Sequence, residues 1–234
     1  MNAPPVKILA VITARGGSKE LPHKNIYPLD NKPLIAWTID AALNARLVTR
    51  VIVSTDDQEI ATISKTYGAD IPFIRPLHLA TDEASSLDVL VHAARQCPGY
   101  DYVVLLQPTS PLRTSLDIDQ TIELCTRHGA HSSTSVCETE KPPNKMYYLD
   151  AYGDMNKIIN DDGVQKRRQE LPHCFALNGA TYVIQTKRLL DGQELVTQNT
   201  KAFIMPKSRS IDIDDLFDIR LTETIIKHGF ADQI

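Results

Sequence analysis

Cysteine is scarce in this chain. Cys97, Cys125, Cys137 and Cys174 are the only four in 234 residues, and no two of them form a CxxC pair. Their spacings match no common zinc pattern. Buried, reduced thiols are the ordinary reading of such residues, and a reducing cytoplasm suits them. An excess of positive charge is also lacking. With 25 basic and 29 acidic residues the formal net charge is −4, so a nucleic-acid partner is not expected and any anion site has to be a local cluster. No apolar run approaches the ~20 residues that cross a bilayer, so no membrane association is expected. The opening MNAPPVK lacks a charged segment followed by a long apolar stretch, and no secretory leader is expected there. Internal repeats and low-complexity tracts are absent.

Hydrophobic residues make up 42% of the chain, enough for a substantial core. Short apolar runs alternate with helical stripes. Val6–Thr13, Arg50–Thr55 and Tyr102–Leu106 read as strands buried on both faces, and Ile71–Ile74 as a short one between them. Ile35, Ile39 and Ala42 stripe a helix opened by Pro33 at its first position. Asp57 caps a helix that Gly68 stops. Leu87, Leu90, Val91 and Ala94 mark a third helix; Ile118, Ile122 and Cys125 mark a fourth, ended by Gly129. The alternation predicts β-α-β crossovers and a largely parallel sheet. It breaks after Ser132–Cys137. Residues 138–172 are polar and Pro/Gly-bearing, with strand-like pieces Met146–Leu149 and Lys157–Ile159 around a turn at Tyr152–Asp154, which predicts a hairpin insertion. The α/β pattern resumes with Thr181–Gln185 and Ala202–Met205, and Asp215 caps a final helix carrying Ile219, Thr222 and Ile226. One α/β domain over 1–137 and 173–234, interrupted by the insertion 138–172, is the expected organisation.

The segment ITARGGSKELPHKN leaves the first strand at the carboxyl edge of a parallel sheet, where ligands of open α/β folds bind. Gly16 and Gly17 allow close backbone approach to an anion. Arg15, Lys19 and Lys24 add a planar fork and two point charges. The loop is neither a Walker A sequence nor GxGxxG. Its residues alone leave two readings, an anion site or a solvated basic turn. For Ser86, helix capping and anion contact are both open. Lys145 reads equally as an exposed hairpin lysine. Asp212 and Asp214, at i and i+2, place two hard oxygen donors on one face of an extended segment, a set that suits Mg²⁺.

Six segments in order, ARGGSK, RPLHLATDEASSLDVL, QPTSPLR, RRQELP, NGATYV and SIDIDDLFD, resemble the signature blocks of CMP-sialic acid synthetases (acylneuraminate cytidylyltransferases). Glu20 departs from the pattern, since many relatives carry Gly there. The resemblance implies a Rossmann-like three-layer α/β/α fold of the nucleotide-diphospho-sugar transferase type, with a mostly parallel mixed sheet. It implies that Arg15, Gly16, Gly17, Ser18, Lys19 and Lys24 hold the triphosphate of CTP. Asn25, Arg75 and Ser86 would serve the rest of the nucleotide. Gln107, Lys145, Arg168, Asn178 and Tyr182 would contact an acidic nine-carbon sugar, a sialic or legionaminic acid. Catalysis would rest on Arg15, Lys19, Lys24 and Asp212, with Mg²⁺ on Asp212 and Asp214. The same resemblance implies a homodimer that exchanges its insertion. A Kdo-type cytidylyltransferase is the nearest alternative. A glycosyltransferase using IDID as a DxD motif and a catalytically silent nucleotide-binding subunit are more distant ones.

Overall fold

The computed structural model describes residues 5–18, 20–159 and 167–232, for Arg168 and Asp232 the backbone only. The strands are β1 (Ile8–Thr13), β2 (Pro28–Leu29), β3 (Lys32–Pro33), β4 (Arg50–Ser54), β5 (Tyr102–Leu106), β6 (Ser132–Glu138), β7 (Tyr147–Leu149), β8 (Met155–Lys157), β9 (Phe175–Gln185) and β10 (Lys201–Ile204). The helices are α1 (Leu34–Leu43), α2 (Gln58–Thr66), α3 (Ser86–Gln96), α4 (Ser115–Thr126), α5 (Thr186–Leu190) and α6 (Leu216–His228).

Six strands form the central sheet in the order β10-β6-β9-β5-β1-β4. Pairs β1–β4, β1–β5 and β10–β6 are parallel, while β9 runs antiparallel to both its neighbours. Successive strand residues face opposite ways, and β1 shows what this builds. Ile8, Ala10 and Ile12 join α1, α2 and α4 in one core. Leu9 and Val11 join α3 and α5 in the other. Because both faces are covered, β1 has no polar alternation, and the result is the expected three-layer mixed α/β fold. No described helix is long and apolar enough to cross a membrane.

A third, smaller core positions the site. Leu21 of the basic loop, Leu29 of β2, Leu34 of α1, Ile213 just ahead of α6, and Ile219 of α6 pack together. Ile213 is completely buried, which contributes about 1.5–3 kcal/mol. The C-terminal segment is thereby pressed against the N-terminal loop.

Several boundaries differ from the sequence reading. Ile71–Ile74 forms no strand; only Asp70 bridges Ile52 beside β4. Pro33 stands one residue ahead of α1, because it is drawn into an antiparallel pair with Pro28. Ser85, not Ser86, caps α3 by accepting from the Asp88 amide. The second hairpin strand is Met155–Lys157, two residues early, because the turn at Asp150–Asp154 is held by the Asp150 carboxylate. Strand β9 begins at Phe175, since its first residues pair with the end of β6. All four cysteines are free, but only Cys97 and Cys125 are buried. Asp57 and Asp215 cap α2 and α6 as expected.

Candidate active site

A cavity of about 350 Å³ opens at the carboxyl ends of β1 and β5. It is lined by Arg15, Gly17, Ser18, Lys24, Asn25, Arg75, Ser86 and Gln107, among others. Eight residues singled out across nearly a hundred positions therefore share one cavity. Lys19 lies outside the described residues, and Glu20 is exposed beside the loop.

The loop side is built on β1. The Asn25 amide donates to the Arg15 carbonyl (2.9 Å), bending the loop back on itself. Arg15 pairs with Asp82 across the cavity mouth at 2.6 Å. Both side chains are partly exposed, so the pair contributes at most about 1 kcal/mol, and an anion can take Asp82's place. The Gly16 amide donates to the Asp56 carboxylate (3.1 Å). A Cβ on Gly16 would stand 2.7 Å from Oδ2 of Asp57, the α2 cap. Gly16 is thus required by contact with that cap, whereas Gly17 has open space around it. Ser86 is exposed in the first turn of α3 and faces the cavity.

Arg75 is not a solvated loop residue. It is buried, and its guanidinium donates to the hydroxyl of Ser54 (3.0 Å) and to the Ser54 carbonyl. Burial pulls its pKa down to about 10, with Arg15 pulling the same way and Asp56 opposing. It remains a cation at neutral pH.

On the opposite side Lys24 reaches across to the C-terminal segment. Its ammonium donates to the Ile213 carbonyl (3.0 Å) and to the Asp214 carboxylate (3.1 Å). Burial of Ile213 between them turns Asp212 and Asp214 outward on one face, as their spacing predicts. The Ile213 amide donates to the Thr109 carbonyl (2.8 Å), tying this segment to the QPTS turn. Asp212 is open to solvent but crowded by protein, which raises its carboxyl pKa; a hydrogen bond with Thr109 opposes the rise and Asp214 adds to it. Burial likewise raises the Tyr182 pKa, and the Asp212 charge adds to that.

Gln107 and Asp212 flank a glycine the sequence reading passed over. Gly179 has φ +72°, and a Cβ there would lie 2.5 Å from Oε1 of Gln107 and 3.6 Å from Oδ2 of Asp212. Its signal was present, one residue after Asn178 in NGATYV. Asp82 and Thr109 likewise sit inside quoted blocks. Asp56 sits just past the carboxyl end of β4, where site residues gather.

Of the five residues expected on the sugar side, Gln107 lines this cavity, while Tyr182, Asn178 and Lys145 are not among its lining. The Asn178 side chain is buried behind it, accepting from Ser135 (2.7 Å) and donating to Ser210 (3.0 Å), and it holds the strand rather than facing the cavity. Lys145 is exposed on the insertion and is not part of the lining. Arg168 is in a short 3-10 turn, Arg168–Glu170, its side chain outside the described residues.

Two acidic oxygens and no nitrogen or sulfur donor suit a hard cation such as Mg²⁺. No cluster of three or more His, Cys, Asp or Glu that could hold a metal occurs among the described residues. The donor set therefore fits an ion that keeps waters and substrate oxygens, and does not fit a closed protein cage.

The chain resembles several characterised proteins. The N-acylneuraminate cytidylyltransferase of Escherichia coli is 37% identical over 94% of this chain, which spans only 52% of that protein. The CMP-N,N'-diacetyllegionaminic acid synthase of Legionella pneumophila is 36% identical over 95% of this chain and 97% of its own length. A pseudaminic acid cytidylyltransferase of Campylobacter jejuni is 31% identical over 95% and 97%. Among solved structures, a CMP:2-keto-3-deoxy-manno-octonic acid synthetase complexed with CTP superposes with a TM-score of 0.74 over 95% of this chain and 99% of that one, at 18% identity; at that identity the likeness shows the fold alone. Residues 9–172 match the model of the cytidylyltransferase family. The chain belongs to the cytidylyltransferase family and is a nucleotidyltransferase.

Proposed function

We propose that this protein joins CMP from CTP to a nonulosonic acid of the sialic type and releases pyrophosphate. One observation carries the reading: Arg15, Lys24 and Arg75 stand around the same cavity as Gln107, at the carboxyl edge of the sheet. That juxtaposition puts a polyanion site beside an acceptor site. Relatives of nearly equal length are named for legionaminic and pseudaminic acids, which supports the acceptor class.

In the reaction, the anomeric hydroxyl of the sugar attacks the α-phosphorus, and the bond to pyrophosphate breaks. An anionic sugar has to approach a polyanion, so charge is the main obstacle. Arg15 and Lys24 neutralise the triphosphate, with Lys19 assigned the same task on its place in the loop. The Gly16, Gly17 and Ser18 segment brings backbone to the phosphates; Asn25, Arg75 and Ser86 serve the nucleoside end. Gln107 orients the acceptor, with Tyr182 beside Asp212. Asp212 and Asp214 would hold Mg²⁺, which supplies charge stabilisation at the phosphate oxygens when bound.

The insertion 138–172 is assigned to a second copy of the chain, making a homodimer in the cytoplasm. Tyr148, Leu149, Met155 and especially Tyr152, 93% exposed, stand out on the hairpin, and exposed apolar surface of this kind marks an interaction surface. On this reading Lys145 and Arg168 serve the partner's acceptor site. Incubation with CTP, Mg²⁺ and a panel of sialic, legionaminic and pseudaminic acids tests the function, with CMP-sugar detected by mass spectrometry. Absence of CMP-sugar from all of them overturns it.

A further inference from the structure

The acceptor side of the cavity rests on a buried arginine that lines no part of it. Arg113 is only 2% exposed. Its guanidinium donates to the backbone carbonyls of Gln107 (3.1 Å) and Ala180 (3.0 Å) and to the hydroxyl of Thr38 (2.6 Å). These acceptors come from the end of β5, from the middle of β9 and from α1. Two of them are the main chain of Gln107 itself and of the residue after Gly179, the pair whose close approach shapes the acceptor end.

The charge on Arg113 has no ion pair of its own among the described residues. Asp117 is the acid that acts on it, and Asp117 is held by Arg209 through two bonds of 3.0 and 2.8 Å. Nε of Arg113 has no hydrogen-bond partner among the described residues. If packing alone mattered, a hydrocarbon side chain would fill this position at lower cost than a buried cation. What the guanidinium adds is geometry. A planar fork serves two carbonyls from one nitrogen and a hydroxyl from the other, a fixed spread that a lysine's single nitrogen does not reproduce. The nucleotide-side cations Arg15, Lys24 and Arg75 share none of these partners.

We propose that Arg113 is a positioning residue for the acceptor sugar: it pins the carbonyls of Gln107 and Ala180 and so fixes the Gln107 amide against Gly179. The inference rests on the reading of Gln107 as an acceptor contact. It predicts that the effect of disturbing Arg113 falls on the sugar and spares CTP.

The test uses the full chain with Arg113→Lys and Arg113→Met, together with a gentler pair, Thr38→Val and Thr38→Ser. Thr38 is completely buried. The valine removes one acceptor of Arg113, together with the hydroxyl's own long bond to the Gln107 carbonyl (3.5 Å), at nearly constant volume, and the serine restores both; the Arg113 variants separate the two ties. KM for the sugar, kcat, the CTP dissociation constant and the thermal midpoint are measured for each. Thr38→Val raises the sugar KM about 10-fold, Arg113→Lys up to about 10²-fold, as small misplacements from remote changes can do. CTP affinity stays within about twofold, and Thr38→Ser returns the sugar KM to near the wild-type value. A folded Thr38→Val variant with an unchanged sugar KM, or with CTP affinity lost in equal measure, overturns the positioning role alone. Absence of turnover by the wild type with every nonulosonic acid overturns both this and the reading beneath it.

Discussion

Lys24 and Asp214 are 190 residues apart in sequence, yet the ammonium of one donates to the carboxylate of the other at 3.1 Å. The pair joins the basic loop to the segment that carries both candidate metal ligands. A triphosphate–Mg²⁺ substrate offers each partner a replacement: phosphate oxygens for Lys24, the metal for Asp214. Lys24→Ala is expected to lower kcat by about 10²–10³, the size of effect seen when one well-placed charge-stabilising donor is lost. Steady-state kinetics at saturating CTP checks it, and activity within tenfold of wild type removes Lys24 from the phosphate site.

Asp212 gives a two-sided expectation. Its pKa is raised in the fold, chiefly by crowding. A carboxyl whose folded pKa lies above its unfolded value binds its proton more tightly when folded. Its ionised form therefore works against folding, and stability falls as pH rises through that interval. Asp212→Ala should lose at least about 10² in turnover, while the metal-free protein at neutral pH melts no lower than wild type. Loss of folding together with activity would assign Asp212 a structural role instead.

Gly179 cannot acquire a side chain cheaply. Its φ of +72° is costly for an L residue, and the new methyl would meet the Gln107 amide. Gly179→Ala should cost about 1–2 kcal/mol from the backbone alone and raise the sugar KM. Urea unfolding and acceptor kinetics measure the two parts separately.

His92 predicts part of the acid sensitivity. Burial lowers its pKa, and the charges of Arg75 and His78 push it the same way. Its ring packs edge-on against Phe73 at 4.8 Å, and its buried Nδ1 has no partner among the described residues. The unfolded chain then takes up a proton near pH ~6.5 while the folded one does not. Stability from this group is fully present above that pH and is lost as pH falls toward the depressed folded value. Thermal midpoints from pH 7.5 to 5 should fall less steeply for His92→Phe than for wild type. Parallel slopes would show that other groups carry the acid response.

Much of the fold was legible because local and global preferences agree. Buried strands such as Leu9–Ile12 lack alternation, and Asp57 and Asp215 cap helices with their own carboxylates. Ile71–Ile74 misled because Ile71 and Phe73 pack against the two cores without a ladder partner, while Ile74 is exposed. Ser85 and Ser86 are equally good caps by type, and only backbone geometry chooses between them. In the site, the basic loop stood out as a candidate anion site because glycines and cations are gathered between Arg15 and Lys24. The roles of Asp56, Asp82 and Arg113 were not, since each depends on a partner far away in sequence. Asn178 shows the converse. Its block is visible, but whether an amide faces a ligand or Ser135 and Ser210 is decided by which way one strand residue turns.

The central claim is that the N-terminal basic loop forms a CTP site beside a nonulosonic-acid site. Pyrophosphate release tests it most directly, measured with CTP and Mg²⁺ against sialic, legionaminic and pseudaminic acids and Kdo, for wild type and Arg15→Ala. The account predicts release that requires both CTP and a nonulosonic acid and that falls by about 10² or more in Arg15→Ala, with Kdo a poor acceptor. Release with Kdo alone, or unchanged release by folded Arg15→Ala, would contradict it.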